Sequence, residues 1–420
     1  MRPAKVQELA AGQVIASDVR NALGEVVMPA GTVFGPRLHT LFKAWNIAEV
    51  NVAEDEPTSS SSPPSLPLPS LLRSPRIQRL FGNNDFAHPV IAELASVVER
   101  LAVGSSSAND HLVSIPAATG GASRGQRAFI PVTAETIVAK VGVLASLPNV
   151  YFRVDRAINH PASSSADIGA VLRQDMALTA RLLRIGNSAF YGFSRRVEDI
   201  DEAVRIIGTR QLHDLVLATV VLSQFKGMDA RLVTMQSFWQ HSLACGIAAR
   251  AIAKRRRENN IERFFVAGLL HDIGSLVLYQ QFPERAQAAL ERHLQTDVGL
   301  EDAERSTVGC DHGAVGAALM TAWTLPQFFR EAALNHHSSG HRSHTPGTAV
   351  IHLADLISLS LDLGTNGEVR LPHLSAPAWE LVGLPLSTIG GVADEVFALL
   401  EEAQRMFLDD AGPDRPSSQA

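Results

Sequence analysis

The sequence predicts a mostly α-helical protein, preceded by a small α+β module and a flexible linker. Three observations predict it. The 420-residue chain is 46% hydrophobic but only 6% aromatic, and Ala, Leu and Val dominate, a composition suited to closely packed helices. Alternation of apolar and polar residues at period 2 occurs near the N-terminus and is almost absent beyond Thr133. Between these regions runs PTSSSSPPSLPLPS, too rich in proline and serine to bury a core.

Residues 1–55 form the predicted α+β module. Gln13 to Val19 alternates as a strand, Asn21 to Gly24 turns, and Glu25 to Pro29 continues as a second strand. After a turn at Ala30-Gly31, Pro36 suits the first turn of a helix ending near Asn46, and Glu49 to Val52 closes as a short strand. A module of this size suits sensing or partner contact better than catalysis. Residues 56–132 read as a linker with a lone amphipathic helix from His88 to Val103.

The helical domain is expected over 133–364. Ala134 to Asn159 is helical with a break at Leu147-Pro148, because proline disfavours helix in the residue before it. Ser165 is placed to cap Ala166–Gln174, and Asp175 to cap Met176–Ile185. Asp201–Ile207 and Gln211–Phe225 form a helical pair. Its second member, QLHDLVLATVVL, is apolar and belongs in a core rather than in a DNA groove. Further helices are expected at Phe238–Arg257, Glu262–Gln281, Pro283–Gln295, Asp311–Ala322, Pro326–His336 and Thr348–Leu363. A C-terminal helical extension occupies 365–410, with a helix at Val392–Phe407, and the tail 411–420 should fray.

Composition excludes several functions. The net charge of −6 provides no global field for nucleic acid. The run Lys254-Arg255-Arg256-Arg257 reads as the solvated C-terminal end of a helix, where cations oppose the macrodipole. Two cysteines, Cys245 and Cys310, imply no disulfide framework and a reducing, cytoplasmic setting. The start MRPAKVQELAAGQ lacks the apolar core of a signal peptide, and no apolar run approaches the roughly 20 residues of a membrane span.

The chemistry lies in dispersed histidines and aspartates: His241, His271-Asp272, His312, His336-His337 and Asp355. Imidazole and carboxylate are the donors that divalent iron, manganese or zinc take when thiolates are absent, and helices can converge such donors on a bundle core. His271-Asp272 has a second reading, a helix cap with a buried His–Asp hydrogen bond. Asp355 sits on the apolar face of VIHLADLISL, where a carboxylate needs a cation or a histidine. Asn187-Ser188, in GNSAFYG, reads as a helix C-terminus with Gly186 or Asn187 left-handed and Ser188 bonding freed backbone, or as a surface contact.

LRQDMALTARLLRIGNSAFYG and IDEAVRIIGTRQLHDLVLA, followed by FVAGLLHDIGSLVL, DHGAVGAALMTAWTLP, ALNHH and VIHLADLISL, resemble the HDOD domain, a bacterial signalling module related to HD-superfamily phosphohydrolases. The likeness covers about Thr133 to Gly364. A lone HD dipeptide means little, since His213-Asp214 is another. The front module, with GEVVMPAGTVF, looks like small domains that precede HD-GYP phosphodiesterases. The resemblance implies one or two divalent ions (Fe, Mn or Zn) held by His241, His271, Asp272, His312, His336, His337 and Asp355, with Asp272 central if the protein is active. In such enzymes the ion acidifies water and offsets phosphoryl charge.

Two departures bear on catalysis. HD-GYP enzymes carry lysine three residues after the HD aspartate, where this chain has Ser275. Their signature stretch is replaced by HHSSGHRSHTPG, without its Gly-Tyr-Pro triplet or acidic residues. The preferred expectation is a regulatory protein acting through signalling partners, with a non-catalytic HDOD domain. The alternatives are a metal-dependent phosphohydrolase acting on a nucleotide or cyclic-dinucleotide phosphodiester, and a site whose metal is a structural staple. Oligomeric state stays open.

Overall fold

The computed structural model describes residues 2–5, 16–17, 19–20, 26–28 and 49–52, then 75–104 and 130–408 except 83, 142–145, 189, 192–195, 226, 229–232 and 338–342. The chain divides into two units, Met1–Pro64 and Ser65–Ala420. In the first, β1 (Arg2–Lys5), β2 (Val19–Arg20), β3 (Val26–Met28) and β4 (Glu49–Val52) form two antiparallel ladders, β1 with β4 and β2 with β3. Arg2 pairs with Val52 and Lys5 with Glu49, while Val19 pairs with Met28 across an irregular register. The sequence did not suggest β1. The expected helix from Pro36 to Asn46 and most of the strand from Gln13 lie outside the described residues.

Every regular element among the described residues of the second unit is a helix. The unit opens with α1 (Pro75–Phe81) and α2 (Pro89–Gly104). The first lobe of the main domain comprises α3 (Ala134–Lys140), α4 (Asn149–Asn159), α5 (Ser165–Leu172), α6 (Met176–Gly186), α7 (Ile200–Ile207) and α8 (Thr209–Gln224). Next come α9 (Met235–Arg256), α10 (Ile261–Leu270), α11 (Ile273–Gln281), α12 (Pro283–Gln295), α13 (Leu300–Thr307), α14 (His312–Ala322), α15 (Gln327–Asn335) and α16 (Pro346–Ser360). The chain finishes in α17 (Ala376–Val382) and α18 (Thr388–Leu408). No described helix is long and apolar enough to cross a membrane.

Helix α9 is the axle. Nearly every residue from Phe238 to Ala253 is buried, and α10, α16 and α18 pack around it. An all-round apolar helix is the expected signature of such a central position. The closest approach is to α10, where a Cβ on Gly268 would fall 2.8 Å from the Cys245 carbonyl and from the Gly246 Cα. Backbone contact at that distance admits only glycine.

Several expectations need correction. The helix expected at Glu262–Gln281 is two, broken at His271-Asp272, where Asp272 has φ −98° and ψ 13°. The cap of α5 is Ser164 rather than Ser165, because Asp167 lies three residues after Ser164 and closes a capping box with it. Asp175 caps α6 as expected. Neither Gly186 nor Asn187 is left-handed: Asn187 has φ −91°. Its side chain instead clamps the Val197 backbone, donating to the carbonyl and accepting from the N–H at 2.7 Å each, while the Ser188 hydroxyl donates to the Ile185 carbonyl. Arg255 and Arg256 are not merely solvated. Arg255 pairs with Glu395 at 2.9 Å and donates to the Gly391 carbonyl, and Arg256 donates to the Leu381 and Val382 carbonyls. The basic run therefore ties α9 to α17 and α18.

The helix read as lone, now α2, is also part of the core: Val90, Ile91, Leu94, Ala95 and Val98 are buried together with Ile77 and Phe81 of the unanticipated α1. Its apolar stripe meets α16 and α18, which lie some 250 to 300 residues further along the chain.

Candidate metal centre

Three helix ends and two helix interiors deliver the site. His241 projects from α9 and Asp355 from α16; His271 and Asp272 occupy the break between α10 and α11; His312 begins α14; His336 and His337 follow α15. All seven are at most 2% exposed. The break solves a geometric problem, since adjacent residues of an unbroken helix point about 100° apart. With the helix interrupted, the His271 Nε2 and Asp272 Oδ2 face each other at 2.9 Å.

Asp272 is the hub. Its Oδ2 lies 3.4 Å from His241 Nε2, and its Oδ1 lies 3.2 Å from His336 Nε2 and 3.4 Å from His312 Nε2. Asp355 Oδ1 is 3.2 Å from His241 Nε2 and 3.5 Å from His271 Nε2. His312 Nε2 is 3.2 Å from His336 Nε2 and 3.1 Å from His337 Nε2. Sequence reading therefore named seven residues that the fold gathers at one place.

The outward nitrogens fix the tautomers. His271 Nδ1 donates to the Gly268 carbonyl at 2.6 Å, His336 Nδ1 to the Ala333 carbonyl at 2.7 Å, and His312 Nδ1 to Glu304 Oε2 at 2.7 Å. With each Nδ1 proton committed outward, each inward Nε2 presents a lone pair. The His312 and His336 Nε2 lone pairs, facing each other at 3.2 Å, are repulsive unless a proton or a metal ion lies between them. His241 Nε2, His271 Nε2, Asp272 Oδ1 and both Asp355 oxygens have no hydrogen-bond partner among the described residues. Buried polar atoms so left cost about 1–3 kcal/mol each.

The spacing suits an ion. Donors about 2.1 Å from a metal are about 3.0 Å apart at an octahedral edge and about 3.4 Å at a tetrahedral one. Most contacts between these donors run from 2.9 to 3.5 Å, with His337 Nδ1 further off, 4.0 Å from Asp355 Oδ2. Asp272, His312, His336 and His337 form one compact donor group, and His241, His271 and Asp272 another. Without an ion, charge is shared with protons. Burial alone would push the Asp272 carboxyl up, but the adjacent His271 charge and the close imidazoles of His241 and His336 hold it well below the usual range. Burial likewise opposes the His312 imidazolium, yet the Glu304 carboxylate outweighs it and pushes it up to about 10.

Residues 144–339 match the HDOD domain profile. This segment is an HDOD domain. An HDOD domain protein of unknown function from Geobacter sulfurreducens has the same fold, with a TM-score of 0.52 at 22% identity over 66% of this chain and 98% of its own. A Shewanella amazonensis protein, provisionally named a phosphohydrolase, gives 0.50 at 23% identity over 64% and 96%. An uncharacterised Treponema pallidum protein is 29% identical over 236 residues, 54% of this chain and 45% of that one. The chain thus spans about half the length of that curated relative. The HDOD match is narrower than the resemblance traced over 133–364, and Asp355 lies beyond it.

The centre includes residues that sequence reading missed. Glu304, 1% exposed, accepts both the Nδ1 proton and the backbone N–H of His312. Asn366 donates to Asp272 Oδ2 at 2.6 Å and is itself tied to the Tyr279 hydroxyl through its carbonyl. Neither had a signal: Glu304 lies in the short polar stretch LEDAERST, Asn366 in a loop. Orienting partners of this type set ligand basicity, and their loss typically lowers metal affinity 10–100-fold. If the centre holds an ion, Glu304→Gln is expected to weaken its binding about 10–100-fold with the fold intact, as measured by competition with a chromogenic chelator.

Proposed function

We propose that this chain is a bacterial signal-transduction protein whose HDOD domain holds one or two divalent ions, does not hydrolyse a phosphodiester, and works by binding protein partners. The observation that carries the metal-holding half is the convergence of inward imidazole lone pairs on two buried carboxylates. Nitrogen and oxygen donors suit Fe, Mn or Zn. His241, His271, Asp272, His312, His336, His337 and Asp355 would hold them, and a bound ion would supply Lewis acidity. Ser275, wholly buried, stands where the related phosphodiesterases carry lysine, and exposure of 2% or less at every ligand position leaves a substrate little access. The complete ligand set favours the second reading, a phosphohydrolase centred on Asp272.

Elemental analysis of protein purified under reducing, oxygen-free conditions tests the first half. One or two ions per chain are expected, with loss in His271→Ala. Chelation should lower the melting temperature, because an ion at 100 times its Kd stabilises the folded state by about 2.7 kcal/mol. Absence of stoichiometric metal overturns the metal-holding reading. Turnover of a cyclic dinucleotide by the iron- or manganese-loaded protein at about 1 per second or faster would replace the scaffold reading with the hydrolase.

A further inference from the structure

Cys245 follows His241 by four residues on α9, so its thiol lies one turn along on the same helical face. It is fully buried. Its Sγ, a nitrogen of His271 and a carboxylate oxygen of Asp355 lie within 4.8 Å of one another. The neighbouring donors are short of partners: both Asp355 oxygens and the Nε2 atoms of His241 and His271 have no hydrogen-bond partner among the described residues. The bland role for Cys245 is that of a small apolar filler in the α9–α10 seam. That role leaves those buried donors unexplained.

Asp272 divides the centre. Its Oδ1 faces His312 and His336, while its Oδ2 faces His271 and His241. The His312 side is built from nitrogen and oxygen donors only, with His337 as the fourth member. The other side has the sulfur.

We propose that the centre is asymmetric, with Cys245 completing a thiolate–imidazole–carboxylate half-site, together with His241, His271 and Asp355, for a thiophilic divalent ion of the zinc class. This rests on the metal-holding reading above. A thiolate donor moves preference toward softer ions, and cysteine, histidine and carboxylate together are a zinc-type set with bonds of about 2.0–2.3 Å. Ion binding releases the thiol proton to solvent, since only the thiolate is a ligand. The two half-sites would then differ in metal preference, the sulfur-free one suiting harder ions.

The test uses the full chain, stripped by chelator under reducing conditions and reloaded with Co2+. Wild type is expected to show visible d–d bands and a near-ultraviolet sulfur-to-cobalt charge-transfer band. Cys245→Ser should lose the charge-transfer band, and Cys310→Ser should keep it. Cobalt bands without charge transfer in wild type, or charge transfer surviving in Cys245→Ser, overturn the inference and leave the metal-holding reading intact. Failure to bind any cobalt overturns both. If Cys245→Ser does not fold, X-ray absorption of zinc-loaded wild type decides. A sulfur scatterer at about 2.3 Å is expected, and a shell of nitrogen and oxygen alone overturns the proposal.

Discussion

An Asp272→Asn protein is expected to leave purification without its ions and to melt well below wild type. The substitution keeps the shape of the side chain and removes one charge. That charge lies 2.9 Å from His271, 3.2 Å from His336 and 3.4 Å from both His241 and His312, so it is the anion common to both sides of the centre. One carboxylate oxygen also becomes an NH2 group. If it takes the Oδ2 place, it opposes the Asn366 amide, donor against donor; in the Oδ1 place it faces His312 and His336.

Breaking a buried charge arrangement costs about 3–5 kcal/mol when the partners stay charged. The imidazoles can shed protons and escape part of that, so the ion-linked stabilisation, about 2.7 kcal/mol at 100 times Kd, is the firmer component. Metal content and melting curves with and without chelator measure the two separately. Wild-type metal content and melting in Asp272→Asn would remove Asp272 as the hub.

How much of this centre was legible follows from where its information lies. The seven ligand-type residues were legible because histidine and aspartate on apolar helical faces conflict with burial unless something compensates, and that conflict shows in a single segment. VIHLADLISL displays it for Asp355 without any knowledge of partners. Glu304 and Asn366 showed no such conflict. Their segments are polar, and only tertiary packing reveals that each is buried against His312 or Asp272. Cys245 was read as a mark of cellular setting rather than as a donor, although its four-residue spacing from His241 was visible in the sequence.

The fold shows the same division. Long periodic segments such as Pro283–Gln295 were placed at their observed bounds. The break at His271-Asp272 was signalled only by the cap reading of those two residues and not by the helix bounds, because FVAGLLHDIGSLVL is apolar on both sides of them. What interrupts it includes the His271 side chain, whose Nδ1 takes up the Gly268 carbonyl. The role of α2 was invisible for another reason: its stripe predicts that it packs, and no local pattern names the distant α16 and α18 as its partners.

Gly274→Ala should be strongly destabilising even though alanine is the better helix former by about 1 kcal/mol. Gly274 lies in the first turn of α11, and a Cβ there would sit 2.0 Å from the His312 carbonyl oxygen and 2.6 Å from the Gly316 nitrogen. Both are backbone atoms, so no rotamer change relieves the overlap and α11 must move away from α14. Overpacking typically costs about 1–3 kcal/mol, and a backbone clash this deep belongs at or above the top of that range, outweighing the propensity gain. Gly316→Ala, on the facing helix, is the internal contrast: its Cβ would meet its nearest neighbours at 3.4 Å, so a near-neutral effect is expected. Moving α14 also moves His312 relative to Asp272, so ion affinity should fall together with stability. The two effects separate in chelator. The metal-linked part of the Asp272→Asn deficit should disappear once wild type is also stripped, whereas the steric deficit of Gly274→Ala should persist. Equal melting of wild type and Gly274→Ala in chelator would mean that the two helices are not in backbone contact, and that the position of His312 is set by something other than this approach.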